Sequence, residues 1–199
     1  MDCLKVNFCA APSSRKSTVC AALESLLKQQ KINADTSKEY ARQFIQQYGV
    51  PKDIASQFII YNNQKARDEG VAAVSEVLLT DTPAMNCYVF GKRSLNERMK
   101  REGRTSLTKE EYKILEELHG MALKKLNWFD IIFVFPPTDP VVNDGTRTET
   151  MDDKVAIYNA IKGFLDVEGV PYHIIDGSVE YRIDACMGII LDELSKRKR

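Results

Sequence analysis

The stretch KVNFCAAPSSRKSTVCAAL, Lys5 to Leu23, passes from an apolar run through a basic, serine-bearing turn into helical spacing. Cys3 to Ala11 breaks at Pro12, as a buried strand would. Val19, Leu23, Leu26 and Leu27 then recur on one helical face. Between them, Ala10-Ala11-Pro12-Ser13-Ser14-Arg15-Lys16-Ser17, followed by Thr18, fills the frame G-x-x-x-x-G-K-[ST] with both glycines replaced. In that frame backbone N–H groups wrap phosphates, the lysine reaches the outer phosphate oxygens and the hydroxyl ligates Mg²⁺. Ala10 gives up glycine's dihedral freedom at the strand exit. Arg15 puts a long side chain where backbone has to approach phosphate. It either swings outward and adds a cation, or folds inward and blocks the site. Two readings stay open on this turn alone: a phosphate loop at a helix N-terminus, or an ordinary strand–turn–helix.

With 199 residues, 44% of them hydrophobic, the chain is read as one domain over residues 1–199 with a sizeable core. The 28 basic residues balance the 28 acidic ones. No global field then steers the chain to nucleic acid or anionic membrane. The N-terminal apolar run is too short for a signal peptide, and no window approaches the roughly 18 apolar residues of a membrane span. Five scattered cysteines without CxxC spacing speak against structural zinc and a disulfide framework, and for a reducing cytoplasm.

Further along, TSKEYARQFIQQYG is read as a helix capped by Thr36 or Ser37 and stopped by Gly49. A long amphipathic helix opens on Pro51. Glu76 to Thr82 is a second short strand. Pro83 to Leu126 is a charged helical region with an interruption near REGRTSLTKEEY, where Thr108 and Glu111 form a capping box. FDIIFVFPP, Phe129 to Pro137, is the clearest buried strand. A loop over about 138–152 leads into the helix KVAIYNAIKGFLDVEG; a last strand, PYHIIDG, precedes a helix over about 178–194 and a frayed basic tail, 195–199. Four strands separated by helices predict an α/β fold with a largely parallel sheet.

Several polar clusters sit where such a fold does chemistry. Glu39 and Arg42 lie three apart on one helical face, fit either to grip a sugar hydroxyl and a phosphate or to form a surface ion pair. Asp81 follows an apolar strand, and in open α/β sheets ligands lie beyond the carboxyl ends of strands; it is alternatively a turn aspartate before Pro83. Asp144-Gly145-Thr146-Arg147 is either a lid bearing a cation or an Asp-Gly turn. Arg182 is a candidate nucleotide contact or a surface partner for an acid. Gly91 to Arg104 carries six basic and two acidic residues, suited to a DNA backbone or to a solvated helix face. Trp128, Tyr61, Tyr88 and Tyr112 are open to base stacking or core packing. His119 and His173 lack metal-ligand spacing and are read as structural.

Taken in order, APSSRKST, SKEYARQFIQQYGVP, LLTDTPAMNCYVFG, FDIIFVFPPTDPVVNDGTR and YHIIDGSVEYRIDA resemble the nicotinamide riboside kinase-like (NadR-like) P-loop ATPase/kinase group. That group includes bacteriophage nucleotide kinases and kinases acting on 5-hydroxymethyluracil in DNA. The resemblance spans about Lys5 to Ala185. It implies a three-layer P-loop kinase fold, ATP and Mg²⁺ as cofactors, and a nucleoside, nucleotide or modified pyrimidine in DNA as acceptor. Ala11, Pro12, Ser13, Ser14, Arg15, Lys16, Ser17, Thr18 and Arg182 would then bind the nucleotide. Ser17 and Asp81 would hold the metal, with Asp81 as metal-shell acid or base. Lys16, Asp81 and Arg147 would be catalytic; Glu39, Arg42 and Asp144 would position the acceptor. A homodimer in the cytoplasm, of the host if viral, and no membrane partner complete the expectation. A different class, a pseudo-kinase acting as a binding or assembly protein, is favoured only by Ala10 and Arg15. Arg15 as an introduced substitution in an active enzyme is a third alternative.

Overall fold

A computed structural model describes residues 2–51, 53–137 and 150–197. Five parallel strands form one sheet in the order β2-β3-β1-β4-β5. They are β1 (Leu4–Cys9), β2 (Ala34–Ser37), β3 (Val77–Thr80), β4 (Ile131–Val134) and β5 (His173–Ile174). The helices are α1 (Lys16–Gln29), α2 (Tyr40–Tyr48), α3 (Ala55–Ala72), α4 (Asn86–Arg101), α5 (Lys109–Leu126), α6 (Met151–Val167) and α7 (Val179–Arg197). β3 and β4 are buried along their whole length, as strands with both faces covered must be.

The pleat sends alternate residues to two separate cores. Leu4, Val6, Phe8, Leu79 and Phe133 meet α1 and α7. On the other face Leu78, Ile132 and Val134 pack with residues of α4, α5 and α6. This is the expected three-layer P-loop kinase fold, with β1 at its centre. On the α4 side, a Cβ at Gly91 would stand 2.6 Å from Leu118 Cδ1, so the missing side chain lets α4 and α5 close up.

The sequence reading is corrected at several boundaries. It has four strands; the structure has a fifth, β2, where Thr36 and Ser37 were expected to cap a helix. ADTS sits at the sheet edge, with Asp35 and Thr36 only half-buried, so it carries no apolar run to betray it. Polar contacts hold it instead: Thr36 N donates to Glu24, and Lys28 and Ser75 both bond Asp35. Helix α2 therefore starts after Glu39, and Gly49, at φ 80°, ends it. The long helix starts at Ala55 and not at Pro51, because the Asp53 carboxylate accepts from the Ser56 amide and hydroxyl. Helix α6 begins at Met151, where Thr150 and Asp153 form a capping box, so the last two residues of the expected lid are helical. Nor does the tail fray through Arg197, whose guanidinium meets Asp130 at 2.8 Å.

The expected capping box at Thr108 and Glu111 is present. Glu111 also receives both terminal nitrogens of Arg104 at 2.8 Å, and Arg98 approaches it at 3.7 Å. Arg104 holds the Glu111 carboxyl down at about 2, against an ordinary 4.5. A carboxylate whose folded pKa is depressed contributes stability that is complete above the unfolded value and is lost as pH falls through the folded one. Urea unfolding followed from pH 7 to 2 should therefore show a steep loss between 4.5 and 2. Arg104→Leu should flatten that limb, being less stable near neutrality and converging with the parent at the acid end.

Candidate functional site

The turn between β1 and α1 occupies the carboxyl end of the central strand. Ala10 and Ala11 are buried, and neither takes a positive φ, so the first replaced glycine demands no special backbone. Ser13 and Arg15 do, at φ 56° and 59°. Arg15 is the N-cap of α1 in the left-handed region, with its side chain exposed to solvent. The side chain is thus not packed into the interior of the turn. No side chain caps α1, and its first turn holds no acid. The amides of Lys16, Ser17 and Thr18 therefore open the helix as an anion-facing terminus. Lys16 folds over the turn and donates to the carbonyls of Ala10 and Ala11, both at 3.0 Å.

Asp81 stands at the end of β3, beside this turn. Its Oδ2 accepts from Ser17 Oγ at 2.8 Å, while Oδ1 is buried without a hydrogen-bond partner. A hydroxyl and a carboxylate with a spare buried oxygen form a hard-oxygen donor pair, which suits Mg²⁺. The segment carrying Asp81 is held from below by Asn7, a buried amide of β1. Asn7 donates to Thr82 O at 2.7 Å and accepts from Ala84 N at 3.1 Å.

Glu39, half-buried, stands at the N-cap position of α2 just beyond the carboxyl end of β2; Arg42 lies in the first turn of α2 with an exposed side chain. The common sheet edge brings them to the same side as the turn. Gln64 of α3 links these parts, a role the sequence did not reveal. Its oxygen accepts from Tyr40 N at 2.7 Å and Thr82 Oγ1 at 3.2 Å; its nitrogen donates to Ser37 Oγ at 3.1 Å and Asp68 Oδ1 at 2.9 Å. Asp68 in turn meets the buried Lys125 at 2.8 Å, and burial lowers the pKa of that ammonium. An amide read as one more polar residue of an amphipathic helix thereby joins four elements.

Asp144 and Arg147 lie outside the described residues. Arg182 is 1% exposed and sits behind the turn, donating from Nη1 to Ser14 O at 3.2 Å, with its guanidinium 5.1 Å from the Phe135 ring centre. Lys154, also missed, is fully buried and donates to Ser13 O at 3.1 Å. A signal existed for it: Lys154 shares the helical face of Ile157, Ile161 and Leu165. Three cations of the basic stretch are matched by acids, Arg93 by Glu97 and Asp153, Arg98 by Glu102, and Arg104 by Glu111. Tyr61 donates to Met121 O, Tyr88 stacks with His119 and Phe164, and Trp128 receives Lys125; Tyr112 is exposed. No group of three or more His, Cys, Asp or Glu suited to a metal occurs among the described residues, nor does a helix long and apolar enough to cross a membrane.

The sequence profile of the AAA domain family matches residues 5–182. No curated protein matches. Among solved structures, NadR protein in complex with NR superposes with a TM-score of 0.70 at 19% identity, over 96% of this chain and 51% of the other. NadR protein in complex with NAD and AMP-PNP gives 0.69 at 18%, over 96% and 49%. Deoxyadenosine kinase from M. mycoides with bound dATP gives 0.59 at 14%, over 94% and 98%. The chain thus spans about half the length of the NadR chains it matches.

The Gln64 relay makes the site's architecture testable. Gln64→Leu should cost about 2–4 kcal/mol in urea unfolding, since it strips partners from several buried polar groups at once. Amide exchange should quicken at Tyr40 before it does in β1.

Proposed function

This chain belongs to the AAA domain family, and on that premise we propose that it is a P-loop kinase carrying the γ-phosphate of ATP to a nucleoside or nucleotide. The observation that carries the reading is the Ser17–Asp81 contact at 2.8 Å beside an uncapped helix N-terminus overlaid by Lys16. Three phosphate-handling parts converge there: aligned amides, a mobile ammonium and a metal-competent oxygen pair. The likeness of the fold to structures holding AMP-PNP and dATP supports a nucleoside triphosphate in the same crevice.

Ser17 and Asp81 would hold Mg²⁺, which when bound supplies charge neutralisation at the phosphates. The α1 amides bind and orient the triphosphate. Lys16 exchanges its two carbonyls for phosphate oxygens, an exchange that keeps its hydrogen bonds. Glu39 and Arg42, within one helical turn of the Gln64 relay, position the acceptor so that its hydroxyl oxygen meets the γ-phosphorus as the bond to the leaving nucleoside diphosphate breaks, the hydroxyl proton passing to the transferred phosphoryl group. Phosphoryl transfer passes through a loose transition state, so most of the acceleration comes from this placement and from fixed positive charge. Arg147 remains a proposed catalytic cation and Asp144 a proposed acceptor-binding residue. A small acceptor is favoured over modified DNA because Arg93 and Arg98 of α4, and Arg104 after it, are already matched by carboxylates.

Calorimetry with Mg-ATP should give saturable binding, and Arg15→Gly should change the affinity by less than about threefold, since the arginine is exposed and not packed into the turn. An absence of binding in both proteins removes the kinase reading and leaves a binding or assembly role. Labelled ATP with a panel of nucleosides, nucleotides and hydroxymethyluracil-containing DNA then identifies the acceptor; transfer to the DNA alone overturns the small-acceptor assignment. Lys16→Ala and Asp81→Asn should each lower the transfer rate by about a hundredfold or more with the fold intact by circular dichroism.

A further inference from the structure

Ser13 and Arg15 hold left-handed backbone conformations that side chains disfavour and glycine accepts readily. Such conformations persist only where the surroundings impose them. The surroundings here are two buried cations standing behind the turn. Arg182, from α7, donates to the Ser14 carbonyl; Lys154, from the first turn of α6, donates to the Ser13 carbonyl at 3.1 Å.

Lys154 has no exposed surface at all and shares an otherwise apolar face with Ile157, Ile161 and Leu165. A buried ammonium is strongly disfavoured unless its hydrogen bonds are made, so packing alone gives no reason for a lysine at that position. Its base is fixed. Thr150 and Asp153 cap α6 reciprocally, and Arg93 of α4 pairs with Asp153 at 2.9 Å. A cation delivered from a rigid helix end to one carbonyl fixes the peptide plane of that carbonyl, and with it the rotation of the next residues.

We propose that Lys154 is a positioning residue of the phosphate loop. Its ammonium holds the Ser13 carbonyl, keeps Ser13 left-handed without glycine, and so aims the following amides at an anion. The inference rests on reading the turn as a phosphate site, yet its structural half stands apart from any ligand.

Backbone chemical shifts of Ser13, measured by NMR in the nucleotide-free protein, report its left-handed state directly. Lys154→Met should move them out of the left-handed range while the β1 and β3 resonances stay in place, and should weaken Mg-ATP binding about tenfold. Adding Ser13→Gly to that variant should restore affinity to within about threefold of Ser13→Gly alone, because glycine needs no external hold. Should the methionine variant not fold, Lys154→Gln, neutral and one bond shorter, takes its place in both measurements. Unchanged Ser13 shifts in a folded Lys154 variant overturn the proposal, as does an affinity loss that glycine leaves unrepaired. A parent protein that binds no ATP refutes the kinase reading, while the Ser13 shifts still decide the role of Lys154.

Discussion

The upper edge of this molecule depends on one backbone constraint, the pair of left-handed residues that turns the chain from β1 into α1. That turn decides where the N-terminus of α1 faces, and hence where Lys16 and Ser17 stand relative to the neighbouring strand. Asp81 can meet Ser17 only because the turn delivers the hydroxyl to the end of β3. Everything else at the edge is support. Asn7 fixes the peptide groups after Asp81, Gln64 ties them to the start of α2, and buried cations hold the turn from behind.

Polar groups carry an unusual share of this support, and burial gives them their strength. A hydrogen bond between exposed groups merely replaces one with water, but a buried donor left without its acceptor costs its full desolvation. Asn7, Gln64, Lys154 and Arg182 are all buried, and each donates to a backbone or side-chain oxygen in the layer that carries the site. The apolar cores on the two sheet faces make the scaffold stable. The polar layer selects one arrangement of its loops, because any shift of a loop strands several of these donors together.

The parts of this arrangement that repeat were legible in the sequence. Period and run length gave β1, β3, β4 and most helices, since covered strands must be apolar throughout and helices must show a stripe. Asp81 could be located because ligands in such sheets lie beyond the carboxyl ends of strands, Lys16 and Ser17 because they close the phosphate-loop frame, and Glu39 because it shares a helical face with Arg42. β2 escaped because an edge strand held by Glu24, Lys28 and Ser75 carries no hydrophobic pattern. Gln64 escaped because three of its four partners, Ser37, Tyr40 and Thr82, are distant in sequence and only the fold assembles them. Lys154 was visible as a charge on an apolar face, yet its target, a carbonyl 141 residues away, was not. The left-handed backbone of Arg15 was undecidable from sequence, since it depends on the surroundings of the turn and not on the residue's chemistry.

The exposure of Arg15 has an evolutionary consequence. A loop whose shape is imposed from behind can hold a residue other than glycine in the left-handed region at its front. Position 15 becomes a place where charge and length can drift under selection while the cradle beneath keeps its form. Lineages with such braces can lose the glycines by which the loop is usually recognised, so searches keyed to those glycines would undercount them.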